Sequence, residues 1–340
     1  MPAPDGVAAL REIAYLMERT LTDPYRVRAF RAAADVVAGL SDAEHARIAG
    51  TAAWRELPGV GETTATVLAQ AAAGRVPDRL AKLRTEARPL AVGGEGLLAQ
   101  LRGDLHTHTD ASDGSVPPEQ SRAVAAALGY EYLAITDHSP RLTVANGLSA
   151  ERLRAQLADL AVLNREDGPR LLTGIEVDIL PTGGLDQDGE LLDELDVVVA
   201  SVHSELRMAA EPMTHRMVAA IADPRTDVLG HCTGRLVTGG RGTRPQSTFD
   251  AEVVFEACRQ FDVAVEINSR PERADPPDDL LALARETGCL FAIDSDAHAP
   301  GQLEFPAYGA ARAVAAGIPA ERIVNTWPLA DLLAWTRSRG

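Results

Sequence analysis

The chain has 340 residues, 46% of them hydrophobic and 24% charged, with a net charge of −16, a balance that excludes a disordered polymer and fits a globular protein. No apolar run approaches the roughly 20 residues a membrane span needs, and the opening "MPAPDGVAALREIAYLMERT" lacks the basic start and apolar block of a secretory signal. Cys232, Cys258 and Cys289 form no spaced pair, an odd count that suits a reducing, cytoplasmic setting. The length has room for one large domain, or one large and one small. Charge is unevenly spread: residues 1–90 hold 12 basic and 11 acidic side chains, the remainder 21 and 38. An acidic excess ordinarily serves solubility, and it also lowers the electrostatic cost of holding divalent cations.

Residues 7–40 place apolar side chains at helical spacing, Val7, Leu10, Ile13, Ala14, Leu16 and Met17, then Val27, Phe30, Ala33, Ala34 and Val37. "DPYRV" divides the two runs, with Asp23 as a cap and Pro24 at a helix start. "WRELPGVGETTATVLAQAAAGRVP" then reads as helix, turn and helix. Gly59, Val60 and Gly61 form a tight turn whose amides face outward at a helix N-terminus, a cradle for phosphate. Residues 86–102, with "GGEG" and little pattern, read as a linker.

From residue 103 onward seven short apolar runs alternate with helical patterns: "GDLHTHT", "YLAITDHS", "LLTGIEVDI", "DVVVASVHS", "DVLGHCT", "VAVEINS" and "LFAIDSDAH". Such alternation predicts parallel strands with crossover helices. Seven runs, with no glycine-rich nucleotide loop after the first, favour a closed α/β barrel of the triosephosphate-isomerase type over an open doubly wound sheet.

The C-terminal ends of these runs carry His106 and His108, His138, Glu176, His203, His231, Glu266 with Asn268, and Asp296 with His298. Six of the eight histidines fall there; His45 and His215 lie on apparent helices, where a surface role is expected. His106 and His108, two apart on a strand, project to one side. In parallel barrels this rim is where reactive groups gather, and imidazoles converging with carboxylates form a multinuclear metal site. Imidazole and carboxylate without thiolate suit Zn, Mn or Fe rather than Ca or Mg. Cys232, directly after His231, should point to the opposite face. Two or three such ions serve phosphoester hydrolysis, and no G-x-S-x-G elbow supports acyl-serine chemistry.

Residues 103–298 resemble the polymerase-and-histidinol-phosphatase (PHP) domain, on the motifs "HTHTDASDG", "AITDHS", "GIEVDIL", "VVASVHS", "DVLGHCTGR", "EINSRPER" and "SDAH", and most resemble its form in bacterial family X DNA polymerases. Residues 1–85, with "DPYRVRAFRAAA" and "LPGVGETTA", resemble the eight-kilodalton helix-hairpin-helix domain of those polymerases. The resemblance implies a small all-α DNA-binding domain over 1–85, a linker, and a distorted (βα)7 barrel over 103–340. It implies one metal held by His106, His108, Glu176 and Asp296, a second by Glu176, His203 and His231, and a third by Asp113, His138 and His298, with Asp110 competing with Asp113. Arg235 is implied as a contact for substrate phosphate, Asn268 and Asp137 as groups orienting ligands or water.

Two departures matter. Only the short segment around 86–102 lies where the polymerases have a nucleotidyl-transferase module, so no DNA synthesis is expected. The helix after the hairpin, "ETTATVLAQ", has no lysine nucleophile, and Lys82 lies beyond it, so no deoxyribose-phosphate lyase is expected. The leading expectation is a metal-dependent phosphoesterase at DNA ends. The alternatives are a small-molecule phosphatase, of histidinol-phosphatase or nucleotide-phosphatase type, and a DNA-binding scaffold with an inactive barrel.

Overall fold

The computed structural model describes residues 4–240 and 242–338 of the chain. It divides into two compact units, Met1–Pro89 and Leu90–Gly340. Among the described residues no helix is long and apolar enough to cross a membrane.

The first unit is helical, with helices at Gly6–Glu18, Pro24–Ala38, Asp42–Thr51, Glu62–Ala72 and Asp78–Glu86. Leu10, Ile13, Ala14 and Met17 of the first pack with Val27, Phe30 and Ala34 of the second, and with Trp54, Leu68 and Leu80. The starts are fixed locally: Asp5, Asp23 and Ser41 accept from amides of the first turn, and Pro24 takes a position where its missing N–H costs nothing. Arg31 grips Glu18 through two buried bonds of 2.6 and 2.7 Å. The turn at 57–61 depends on Gly59, at φ +81°, a region costly for any residue with a Cβ. Val60 is buried in the helical core and its amide donates to Leu57 O, while the amides of Gly59 and Gly61 make no hydrogen bond among the described residues.

In the second unit, seven parallel strands lie side by side in chain order among the described residues: β1 Gly103–Asp104, β2 Tyr132–Ile135, β3 Arg170–Asp178, β4 Val197–Ser201, β5 Val228–Leu229, β6 Ala264–Asn268 and β7 Phe291–Asp294. Helices such as Pro118–Ala127, Ala150–Leu163, Ala210–Ile221, Ala251–Gln260 and Asp278–Thr287 form the crossovers, as parallel pairing requires. The period of two sorts the strands. Ile175, Val177, Val198, Ala200, Val265, Ile267 and Ile293 face the surrounding helices, while Leu172, Val197, Val199, Ala264 and Ala292 face inward. Val324, Leu332 and Trp335 close the interior from below. Residues 90–102, read above as part of a linker, contain a short helix at Glu95–Leu98, and Leu97 and Leu101 are buried in the outer core of this unit.

β1 and β7 meet largely through side chains. Leu105 N–H donates to Asp294 Oδ1 at 2.9 Å, Ser295 N–H donates to Asp104, and a single bridge joins Thr107 to Ala297. Asn325, fully buried, clips the seam: its Oδ1 accepts from Ile293 N at 2.7 Å, and its Nδ2 donates to Gly103 O at 3.2 Å and Asp294 Oδ1 at 2.9 Å. Replacing Asn325 by leucine keeps the branched shape, adds some bulk and strands these groups, so Asn325→Leu is expected to cost about 2–4 kcal/mol in equilibrium unfolding of the full chain. A change under about 0.5 kcal/mol, the scale of a surface substitution, would show that the seam is held elsewhere.

Candidate metal centre

The inward faces of the strands turn from apolar to ionisable within two to four residues. Leu172 is followed at the same parity by Glu176 and Asp178, Val199 by Ser201 and His203, Ala264 by Glu266 and Asn268, and Ala292 by Asp294 and Asp296. Residues above the apolar layer therefore converge by strand geometry alone. Gly230 lets β4 and β5 come together, since a Cβ there would stand 2.2 Å from Ser201 Oγ.

Glu176 is the meeting point. Its Oε2 lies 2.8 Å from His138 Nδ1, 3.4 Å from His106 Nε2 and 3.6 Å from His108 Nε2. Its Oε1 lies 2.8 Å from His231 Nε2 and 3.2 Å from His203 Nε2. Asp113 Oδ1 faces His298 Nε2 at 3.4 Å, His138 Nε2 at 3.5 Å and His108 Nδ1 at 3.9 Å. Asp296 Oδ1 is 3.5 Å from His108 Nε2, and Asp296 itself sits at φ +51°, the kind of backbone strain that collects at functional sites. Three sets of donor atoms lie within 4.8 Å of one another: His108, Asp113, His138 and His298; His106, His108 and Glu176; and His138, Glu176 and His203.

These groups fit cations. His106 Nε2, both nitrogens of His108, and His138 Nδ1 are buried without a hydrogen-bond partner although carboxylate oxygens stand close, so the close approaches lack hydrogen-bond geometry and aim lone pairs at shared points. Burial would push Glu176 up, yet His203, His106 and His138 hold it well below the usual range. Burial likewise opposes ionisation of Asp296, and Arg273, His108 and Arg270 outweigh it. Burial favours neutral imidazole, but Glu176 and Asp178 raise His203 to about 9, and Glu176 and Glu266 raise His106 well above its ordinary value. Burial and the neighbouring His298 and His138 push His108 down to about 3. Carboxylates this deep demand positive charge, and in the bare protein only imidazolium and arginine supply it.

Other carboxylates orient the rings. Glu266 Oε1 accepts from His106 Nδ1 at 2.6 Å, and its Oε2 takes His231 N–H. Asp178 Oδ1 faces His203 Nδ1 at 2.5 Å. The bonds to the His106 and His203 rings turn the other nitrogen of each toward Glu176, the usual carboxylate–histidine arrangement of metal sites. Asn268 Nδ2 donates to Glu266 Oε2 at 3.2 Å and Asp296 Oδ2 at 3.1 Å. Asp137 accepts from Thr109 N–H, Thr109 Oγ1 and Gln156 Nε2, bracing the loop that carries Asp113.

Asp113 meets three of the rim histidines, whereas the exposed Asp110 stands in none of the three donor sets. Arg235 Nε donates to Arg273 O at 3.1 Å and its Nη2 to Ala274 O. Cys232 points away to Asp275, its thiol pushed up by burial, and His45 and His215 are exposed on helices. Sequence reasoning placed Glu266 on the rim without making it a ligand or an orienting group, and gave no role to Asp178, Arg270 or Arg273. Asp178 and Glu266 share a strand face with other site residues, so the period of two contained them; the arginines lie in a loop with no such period.

Residues 1–75 match the helix-hairpin-helix domain and residues 104–270 the PHP domain. The chain is 36% identical over 241 residues to the DNA polymerase/3'-5' exonuclease PolX of Bacillus subtilis, a match covering 71% of this chain and 42% of that protein. It is 32% identical over 252 residues to a probable phosphatase of Shewanella amazonensis, covering 71% of this chain and 94% of the relative. A histidinol phosphate phosphatase from Lactococcus lactis, solved with zinc, L-histidinol and phosphate, aligns at a TM-score of 0.40 and 18% identity over 58% of this chain and 87% of that one, a slight likeness. Identity above 30% across nearly the whole of a relative, joined to a barrel whose rim gathers the ligands, settles the family: the chain belongs to the PHP-domain metal-dependent phosphoesterases and carries a helix-hairpin-helix domain ahead of the barrel.

Proposed function

We propose that this protein hydrolyses phosphoester bonds at DNA ends, as a 3′–5′ exonuclease or 3′-end processor, without synthesising DNA. The observation that carries the hydrolytic reading is the meeting of five imidazoles on the two oxygens of one buried carboxylate, Glu176. His106, His108, Glu176 and Asp296 would hold one divalent cation, Glu176, His203 and His231 a second, and Asp113, His138 and His298 a third. Bound Mn, Zn or Fe would acidify a water and offset charge on the transferring phosphoryl group. The chain's residues do the arranging: Glu266 and Asp178 fix two rings, Asn268 turns Asp296, and the apolar layer beneath keeps water out from below.

The DNA-end part is supported by the hairpin, with the free amides of Gly59 and Gly61 beside the buried Val60, and by similarity to a relative named as a 3′–5′ exonuclease. The chain spans under half the length of that relative. The second reading is a small phosphoester, and two observations favour it. Relatives named probable phosphatases are matched over more than nine-tenths of their length, and the 38 acidic against 21 basic residues beyond position 90 oppose a polyanion.

Metal analysis of the purified chain is expected to find divalent ions that chelation removes. At free metal 100-fold above its dissociation constant, binding is worth about 2.7 kcal/mol, so chelation should lower the melting temperature, and Glu176→Gln, which weakens two of the three sites, should reduce that difference. An unchanged melting curve on metal addition would refute the centre. His106→Ala is expected to lose roughly 100-fold or more in hydrolysis, since even groups that merely orient ligands are worth 10–100-fold.

The substrate classes separate in parallel assays on 3′-labelled DNA and histidinol phosphate. Gly61 has an ordinary φ of −83°, and a Cβ there meets nothing within 4 Å, so Gly61→Leu should fold while covering the hairpin amides. It should slow DNA degradation several-fold and leave small-ester turnover intact. Turnover of the small ester with no loss of DNA would instead establish the second reading.

A further inference from the structure

We infer that Arg216 is the positioning residue of the second cation site. One buried guanidinium fixes the backbone just beyond Asp178 and just beyond His203, and so sets where the His203 ring points. The inference rests on the metal-centre reading above and deepens it by naming what holds that ligand in place.

Arg216 lies on the helix Ala210–Ile221 and is 1% exposed. Its Nε donates to Ile179 O at 3.1 Å and to Leu180 O at 3.0 Å, and its Nη2 also donates to Ile179 O. On the other side Nη1 donates to Ser204 O at 2.9 Å, and Nη2 donates to Ser204 Oγ at 3.3 Å. Ile179 follows Asp178, and Ser204 follows His203. Asp178 and His203 are the pair whose 2.5 Å contact leaves His203 Nε2 facing Glu176 Oε1 at 3.2 Å. One side chain therefore fastens the residue after each member of that pair.

The two loops have no other tie of this kind. β3 and β4 end at Asp178 and Ser201, and the last backbone bond between them runs from Ile179 N–H to Ser201 O at 2.8 Å. Beyond it one chain turns back at once, Leu180 N–H donating to Gly184 O. Gly183, at φ +91°, lets that turn lie on the helix, since a Cβ there would stand 2.4 Å from Ala219 Cβ. The other chain passes through Glu205 at φ +53°. Among the described residues Arg216 donates to loop oxygens alone and to no carboxylate. A rigid fork of five N–H groups suits such fixed points. Its charge works against the site, because a fixed cation repels a cation bound nearby. What the site gains from this arginine is geometry.

Arg122 supplies the contrast. It is 6% exposed, and it donates to Pro169 O, Leu163 O and Glu166 O at 2.9, 2.7 and 2.7 Å. It fastens a loop in the same manner, but at the end of β3 remote from Glu176.

The test is a calorimetric zinc titration of the metal-free full chain, with bound metal counted at saturation. Arg216→Met is expected to weaken one ion about tenfold or more, the scale set by groups that orient ligands, and to leave the others unchanged. Loss of charge alone would tighten that ion, so the two accounts differ in sign. Arg216→Lys, which keeps the charge and cannot span both loops, should weaken the same ion. Arg122→Met should lower the melting temperature of the metal-free chain about as much as Arg216→Met does, and leave zinc binding untouched. His203→Ala identifies the ion: adding Arg216→Met to it should weaken binding no further. The inference is overturned if Arg216→Met binds every ion as tightly as the unaltered chain, or if Arg122→Met weakens zinc equally. It is also overturned if the effect of Arg216→Met persists in full on top of His203→Ala. Should the methionine variant not fold, unaltered zinc affinity in Arg216→Lys overturns it. An unaltered chain that binds no zinc, manganese or iron would defeat the metal-centre reading; metal binding indifferent to Arg216 would defeat this inference alone.

Discussion

A carboxylate that water cannot reach must find its positive charge nearby, and the upper half of this barrel is organised around one such group. Glu176 is 1% exposed, with five imidazoles at 2.8 to 3.6 Å. Burying an unpaired carboxylate costs several kcal/mol, and several buried ring nitrogens have no partner of their own. Each defect is the complement of the other. The remaining mismatch, lone pairs aimed at common points, is what cations resolve. The buried carboxylates Glu266 and Asp178 then serve orientation, because a ring that can flip cannot hold an ion in fixed geometry.

The strand period delivers this arrangement cheaply. Inward positions low on the strands are Leu172, Val197, Val199, Ala264 and Ala292, which form a dry floor with Val324, Leu332 and Trp335. A few residues further along the same faces come Glu176, His203, Glu266 and Asp296. No loop has to fold back to bring most of the ligands together. Asp113, well into the loop after β1, and His298 are the more exposed members of the centre.

That regularity explains what could be read before any coordinates. Histidines at the ends of apolar runs betrayed the rim because strand parity and barrel closure act on every strand alike. Helical spacing and the Asp23–Pro24 start foretold the first helices, where capping is a local matter. Features set by distant contacts escaped. Leu97 and Leu101 lie in a segment with too little periodicity to betray a core. Arg235 was assigned to phosphate by resemblance; in the folded chain its Nε and Nη2 donate to the carbonyls of Arg273 and Ala274, contacts that no local pattern announces. Nothing local distinguishes one arginine of such a loop from another. The difference lies in which carbonyls happen to face them.

The side-chain seam has a consequence for where this domain can be divided. The PHP match ends at residue 270, but β7, Asp296, His298 and the Asn325 clip all follow it. A fragment cut at the end of the recognised pattern would possess six strands, an open edge and an incomplete ligand shell. Its newly bared backbone would invite pairing with other chains. The unit that evolution can shuffle, or an engineer can graft, therefore extends through the last helix. Its final residues act as the keystone of an arch, inert in the reaction and indispensable to the shape that hosts it.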